Sequence, residues 1–199
     1  MKTIAVLSMF AIACSSRAPE STAPTVHHEE QDVQAAPVVP ATVPAPIGES
    51  IYDLPMSLED TDGTRIGLDI GRGHPTLVSM FYGSCQTACP AIIGYMKNVA
   101  ASTGDDTRIL LVTFDPERDT PARLAELVTK FDLDERWTLA RPTAPDARAL
   151  AAVLGVKYRT IAGGDFAHNA VIVALDRDGR PVARIEGLSD SEGLIAALR

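Results

Sequence analysis

Two cysteines, Cys85 and Cys89, are separated by three residues in the run Cys85-Gln86-Thr87-Ala88-Cys89. Residues at i and i+4 lie one turn apart on the same helix face, so thiols at this spacing converge where a helix begins. Two reachable thiols can hold a soft metal or close into a disulfide. A helix N-terminus favours the thiolate through its orphan N–H groups and the positive end of its dipole. Soft sulfur ligands select Cu(I), and imidazole serves Cu(I), Cu(II) and zinc, so a histidine is the natural third ligand. Of the four histidines, His27 and His28 lie in a Pro-rich stretch and His74 precedes the first core strand. His168 follows Gly163-Gly164-Asp165 and stands directly before the apolar run 169–175. Structural zinc normally takes four ligands, and three are found here.

The elements that must position these residues alternate between strands and helices. Residues 76–82 read as a buried strand, and 88–101 as a helix with Ile92, Ile93, Met96 and Val99 on one side. The cysteine pair therefore sits between a strand and a helix, at the carboxyl edge of a sheet, where α/β folds place their sites. A second buried strand covers 107–114, and a helix follows, with Thr120 as N-cap and Pro121 at its first position, running to about Phe131. A helix over 144–154 ends at Gly155, a strand covers 169–175, and Asp178-Gly179 turns it into a partner at 181–185. Residues 191–198 form a closing helix. Near the start, short alternating runs and Asp62-Gly63 predict an N-terminal β-hairpin. Two strands joined through a helix are parallel with a right-handed crossover. The order βαβ then ββα fits the thioredoxin-like plan, one of several α/β arrangements the periodicity allows and the one the cysteine pair favours: an α/β fold with a central mixed sheet flanked by helices, over residues 49–199. In that plan the start of strand 169–175 faces the cysteine helix and carries a cis-proline. Here no proline occurs between Pro145 and Pro181, and His168 stands there.

The first 48 residues have another texture. Lys2, an apolar run over 3–12 and Ala13 before Cys14 have the form of an export signal ending at residue 14. The run is too short to span a bilayer, which needs ~20 residues. Ala11-Ile12-Ala13-Cys14 resembles a bacterial lipobox, in which the cysteine is lipidated. Residues 15–48 are Pro/Ala-rich with few large apolar side chains, the composition of a disordered, semi-rigid spacer. This predicts a membrane-anchored lipoprotein in the bacterial cell envelope or periplasm. The chain is 46% hydrophobic and 22% charged, as globular proteins are. Its formal charge of −8, without a Lys/Arg cluster, argues against a nucleic-acid partner.

Three segments carry a family resemblance. Residues 81–90, Phe-Tyr-Gly-Ser-Cys-Gln-Thr-Ala-Cys-Pro, resemble the Cys-x-x-x-Cys-Pro segment of SCO/SenC proteins. Residues 114–121 resemble that family's Asp-Pro-x-Arg-Asp-Thr-Pro string, and Asp165-Phe166-Ala167-His168 with the following strand and turn resembles its histidine segment. The resemblance implies a thioredoxin-like fold that binds copper, as Cu(I), Cu(II) or both, through Cys85, Cys89 and His168. It implies service to the dinuclear copper site of a cytochrome c oxidase subunit, by delivering copper or keeping the site's thiols reduced, or service to another extracytoplasmic cuproprotein. The family commonly has Pro where Gln86 stands, and often Ser or Thr where Asn169 stands. Asp115, at the end of the neighbouring strand, is a candidate for orienting His168 or a bound partner. The competing reading is a thiol–disulfide oxidoreductase using Cys85 and Cys89. Redox pairs usually have two intervening residues, so three residues and a facing histidine favour metal.

Overall fold

The computed structural model describes residues 49–86 and 88–199. The expected signal segment 1–14 with Cys14, and the expected spacer 15–48, lie outside the described residues.

Five strands form the central sheet: β3 (Thr76–Phe81), β4 (Arg108–Thr113), β5 (Trp137–Ala140), β8 (Val171–Leu175) and β9 (Pro181–Glu186). Their spatial order is β5-β4-β3-β8-β9. The β3–β4 and β4–β5 pairs are parallel, whereas β3–β8 and β8–β9 are antiparallel. The sheet is therefore mixed, and with its flanking helices it has the thioredoxin-like plan read from the sequence. Every residue of β3 and β8 is buried, the polar Thr76 and Ser79 of β3 included, as expected of strands covered on both sheet faces.

The helices begin and end where local chemistry dictates. In α2 (Pro121–Lys130), the Thr120 hydroxyl accepts from the Arg123 N–H at 3.3 Å, and Pro121 gives up no needed donor. In α3 (Ala144–Leu154), Thr143 caps the start, and Gly155 ends the helix at φ 76°, a left-handed conformation that glycine adopts without strain. The other helices are α1 (Ala88–Thr103) and α4 (Glu192–Leu198), which pack on each other. Ile92, Ile93, Met96 and Val99 of α1 are each at most 2% exposed. Burying such a side chain contributes ~1.5–3 kcal/mol. Among the described residues, no helix is long and apolar enough to cross a membrane.

The N-terminal hairpin is present as β1 (Ser57–Glu59) paired with β2 (Arg65–Gly67). Asp60 shapes its turn, with one carboxylate oxygen accepting from the N–H groups of Asp62 and Thr64. Three further elements carry no strong sequence signal. Strand β5 is four residues long, and the antiparallel pair β6 (Tyr158–Thr160) and β7 (Phe166–His168) is three residues a side. His168 therefore ends β7, and the core strand expected from residue 169 begins at Val171.

Candidate metal centre

Cys85 and Cys89 owe their placement to the end of β3. The chain leaves the sheet at Tyr82, and the Cys85 N–H donates back to the Tyr82 carbonyl at 3.2 Å. Cys89 is the second residue of α1, and its N–H donates to the Cys85 sulfur at 3.2 Å. Cys85 thus satisfies one of the N–H groups that every helix start leaves open. Both cysteines are buried, and they are in the dithiol form.

A carboxylate that the sequence reading left without a role fixes this turn. Asp119, 2% exposed, accepts from the Gly83 N–H at 2.9 Å and from the Thr113 hydroxyl. Gly83 makes that approach possible, because a Cβ there would lie 2.5 Å from Asp119 Oδ1 and 2.9 Å from Leu127 Cδ1. Burial pushes the Asp119 carboxyl above its ordinary range, against the pull of these two donors. Asp119 lies within the string 114–121, but its bond to Gly83 spans 36 residues of sequence.

His168 arrives from the other side, on the β6–β7 hairpin. Its Nδ1 lies 2.9 Å from the Asn169 carbonyl. A carbonyl only accepts, so Nδ1 carries the proton and Nε2 presents its lone pair. Nε2 is buried and has no hydrogen-bond partner among the described residues. The imidazole is walled by aromatic rings, 5.2 Å from Phe114 and 5.7 Å from Tyr82 between centroids. Phe114 in turn stacks on Tyr158 at 4.5 Å.

One ligand atom from each of Cys85, Cys89 and His168 lies within 4.8 Å of the others. Three donors spread evenly around one ion, each ~2.0–2.3 Å from it, stand ~3.5–4.0 Å apart. The three therefore need only a small contraction to share an ion. The unpartnered Nε2 and two thiols are a donor set that suits a soft ion. Burial, foremost, pushes the Cys89 thiol well above its ordinary range, against the Tyr82 N–H that favours the thiolate. The expected help from the helix N-terminus is thus outweighed by burial at Cys89.

Asp115 is not part of this group. Its carboxylate pairs with the Arg118 guanidinium, which lies over the Phe166 ring at 5.3 Å. The Asn169 carbonyl, not Asp115, is the partner of His168 Nδ1. Sequence reading also missed the Asn169 side chain, which accepts from the Lys157 N–H at 2.7 Å and donates to Glu186 at 2.9 Å.

The sheet order, the dithiol at a helix start and the facing histidine define a thioredoxin-like domain with a Cys–Cys–His centre. The SCO1/SenC family pattern matches residues 45–199, and the chain belongs to that family. An SCO1 protein homolog of Bacillus subtilis is 25% identical over 87 residues, 42% of this chain and 45% of that protein. The chain spans less than half the length of the curated relatives it matches. Bradyrhizobium japonicum ScoI, crystallised with copper bound, superposes with a TM-score of 0.61 at 24% identity, covering 71% of this chain and 94% of that one. A SCO1/SenC family lipoprotein of Bacillus anthracis gives a TM-score of 0.65 at 21% identity, covering 74% and 93%.

Proposed function

We propose that the domain is an extracytoplasmic copper chaperone that holds copper through Cys85, Cys89 and His168. It passes the metal to the dinuclear copper site of a cytochrome c oxidase subunit or to another extracytoplasmic cuproprotein. The observation that carries the reading is the convergence of the three donors within 4.8 Å, with a buried Nε2 that no hydrogen bond satisfies among the described residues. Membership of the SCO1/SenC family and the copper-bound ScoI neighbour support copper as the ion. In this reading residues 1–14 direct export, lipidated Cys14 anchors the chain, and residues 15–48 space the domain from the membrane. Cys14→Ser should then release the protein from the membrane fraction or block its processing; unchanged mass and membrane attachment would refute the anchor.

The decisive experiment measures copper stoichiometry and absorption for wild type and His168→Ala. Wild type should bind one copper per chain. Two thiolates alone can hold Cu(I), whereas Cu(II) prefers added nitrogen donors. His168→Ala should therefore lose Cu(II) affinity strongly, with a changed spectrum, and lose less for Cu(I). Wild type without stoichiometric copper would overturn the proposal in favour of the thiol–disulfide reading. There Cys85 and Cys89 would close one S–S bond, reducing a client disulfide to two thiols.

A further inference from the structure

One side chain touches both halves of the centre. Tyr82 leaves β3 three residues before Cys85 and is 3% exposed. Its hydroxyl donates to Asp165 Oδ1 at 2.5 Å and lies 3.3 Å from the Phe166 carbonyl, both on the hairpin that carries His168. The same hydroxyl is within hydrogen-bond reach of the Cys85 sulfur. Its ring packs on Phe114 at 5.3 Å, on Phe166 at 5.2 Å and edge-on to His168 at 5.7 Å.

The hairpin needs such a tie. Each of its strands has only three residues. At its tip, Gly163 and Gly164 adopt φ 83° and 76°, and a Cβ on either would meet nothing within 4 Å. The tip thus contributes no packing of its own at these positions. Asp165 is anchored locally, because Oδ1 also accepts from the Phe166 N–H at 3.0 Å. A hydroxyl aimed at a carboxylate makes a charge-assisted bond, stronger than a neutral one.

Resting on the reading of His168 as a copper ligand, we propose that Tyr82 is its positioning residue: the Tyr82–Asp165 bond latches the β6–β7 hairpin to the cysteine turn and holds the imidazole facing the two sulfurs. The ring alone supplies packing, and the hydroxyl supplies the latch. Phenylalanine at position 82 would keep the first and lose the second.

The test uses Tyr82→Phe and Asp165→Ala, the latter on the surface side of the bond, with Asp165→Asn as the variant that keeps an acceptor. Without copper, amide exchange over residues 158–168 should quicken about tenfold in Tyr82→Phe and Asp165→Ala, the size expected for one charge-assisted bond, and much less in Asp165→Asn. Cu(II) affinity should fall about tenfold in the first two, and Cu(I) affinity by less than about threefold, because two thiolates suffice for Cu(I). In a His168→Ala background, Tyr82→Phe should have no further effect on Cu(II), which a general loss of stability would not produce. Wild-type exchange in both Tyr82→Phe and Asp165→Ala would overturn the latch while leaving the ligand reading intact. Unchanged copper binding in His168→Ala would overturn the ligand reading and with it the positioning role, even if the exchange effect appeared.

Discussion

The two halves of the centre are built differently. The cysteine half is an extension of the core: β3 is fully buried, Gly83 is clamped by a buried carboxylate, and Cys89 is already inside α1. The histidine half is a hairpin of two three-residue strands, half-buried at His168, with an open glycine tip. It is held by ring contacts and a few side-chain bonds. The stability available to each half follows from its burial and bonding, so the hairpin should open at lower free energy than the cysteine turn. The proposed chaperone role would require the site both to retain and to release its metal. A rigid pair of thiols with a third ligand on a more yielding element meets both needs.

The sharpest test of this division removes the rigid half. Cys85→Ser/Cys89→Ser should abolish stoichiometric copper of either oxidation state, since one imidazole offers a soft ion no comparable site. Oxidation of the wild type should do the same, because a disulfide with S–S of ~2.05 Å uses both sulfurs as partners for each other. Metal analysis after thiol oxidation checks this, and retained stoichiometric copper would break the shared-site scheme.

The next effect is on stability. Asp119→Ala leaves the Gly83 N–H and the Thr113 hydroxyl buried without an acceptor, at a cost of ~2–4 kcal/mol. Asp119→Asn keeps one oxygen for both donors and should cost far less. The sign of its pH dependence follows from burial. The folded state holds the Asp119 proton more tightly than the unfolded chain does. Wild type therefore loses stability relative to Asp119→Asn as the pH rises above ~3.9, the ordinary aspartate value. Denaturant melts at pH 4 and pH 7 read this. A gap that instead shifted in favour of wild type between pH 4 and pH 7 would show that Asp119 is stabilised as a carboxylate.

What could be read beforehand divides along the same line. The strand 76–82, the helix from Ala88 and the cysteine pair are carried by apolar runs and local spacing, and these sit where expected. So do Thr120, Pro121 and Gly155, whose capping roles depend on their nearest neighbours. His168 was legible as a ligand candidate, but its hairpin was not, because three-residue strands hold too few residues to show alternation. Strand β5 was missed for the same reason. Asp119, Asp165 and the Asn169 side chain act across 36, 83 and 17 residues of sequence, as measured by their bonds to Gly83, Tyr82 and Glu186. No local pattern reports contacts of that range.

A third prediction concerns protons. Cys89 keeps its proton in the metal-free protein at neutral pH, because burial disfavours the thiolate. A metal binds the thiolate, so loading must release that proton. Copper affinity should therefore rise about tenfold per pH unit for this one proton, equivalent to ~1.4 kcal/mol. Proton release during loading in weak buffer, and competition with a chelator at pH 6, 7 and 8, would measure it. A flat profile would mean that Cys89 is not bound as a thiolate.

The smallest effect expected falls on the yielding half. Asn169 follows His168, and its side chain joins three elements. Its oxygen accepts from the Lys157 N–H at 2.7 Å, just before β6, and its amide donates to Gly155 O at 3.2 Å and to Glu186 in β9 at 2.9 Å. Serine has one hydroxyl on a shorter stem and cannot span all three. Asn169→Ser should lose at least two of these bonds, yet several of the atoms are exposed and water will replace part of the loss. The cost in global stability should be ~1 kcal/mol or less. The backbone carbonyl that fixes the His168 tautomer is retained, so the imidazole should still present Nε2. The variant should therefore raise amide exchange across residues 157–169 more than it lowers the unfolding midpoint, and weaken Cu(II) more than Cu(I). The cysteine turn, to which none of these three Asn169 bonds runs, should exchange as in wild type. If exchange instead quickened equally at residues 83–89, the two halves would be one cooperative unit, and the division drawn between them would fail.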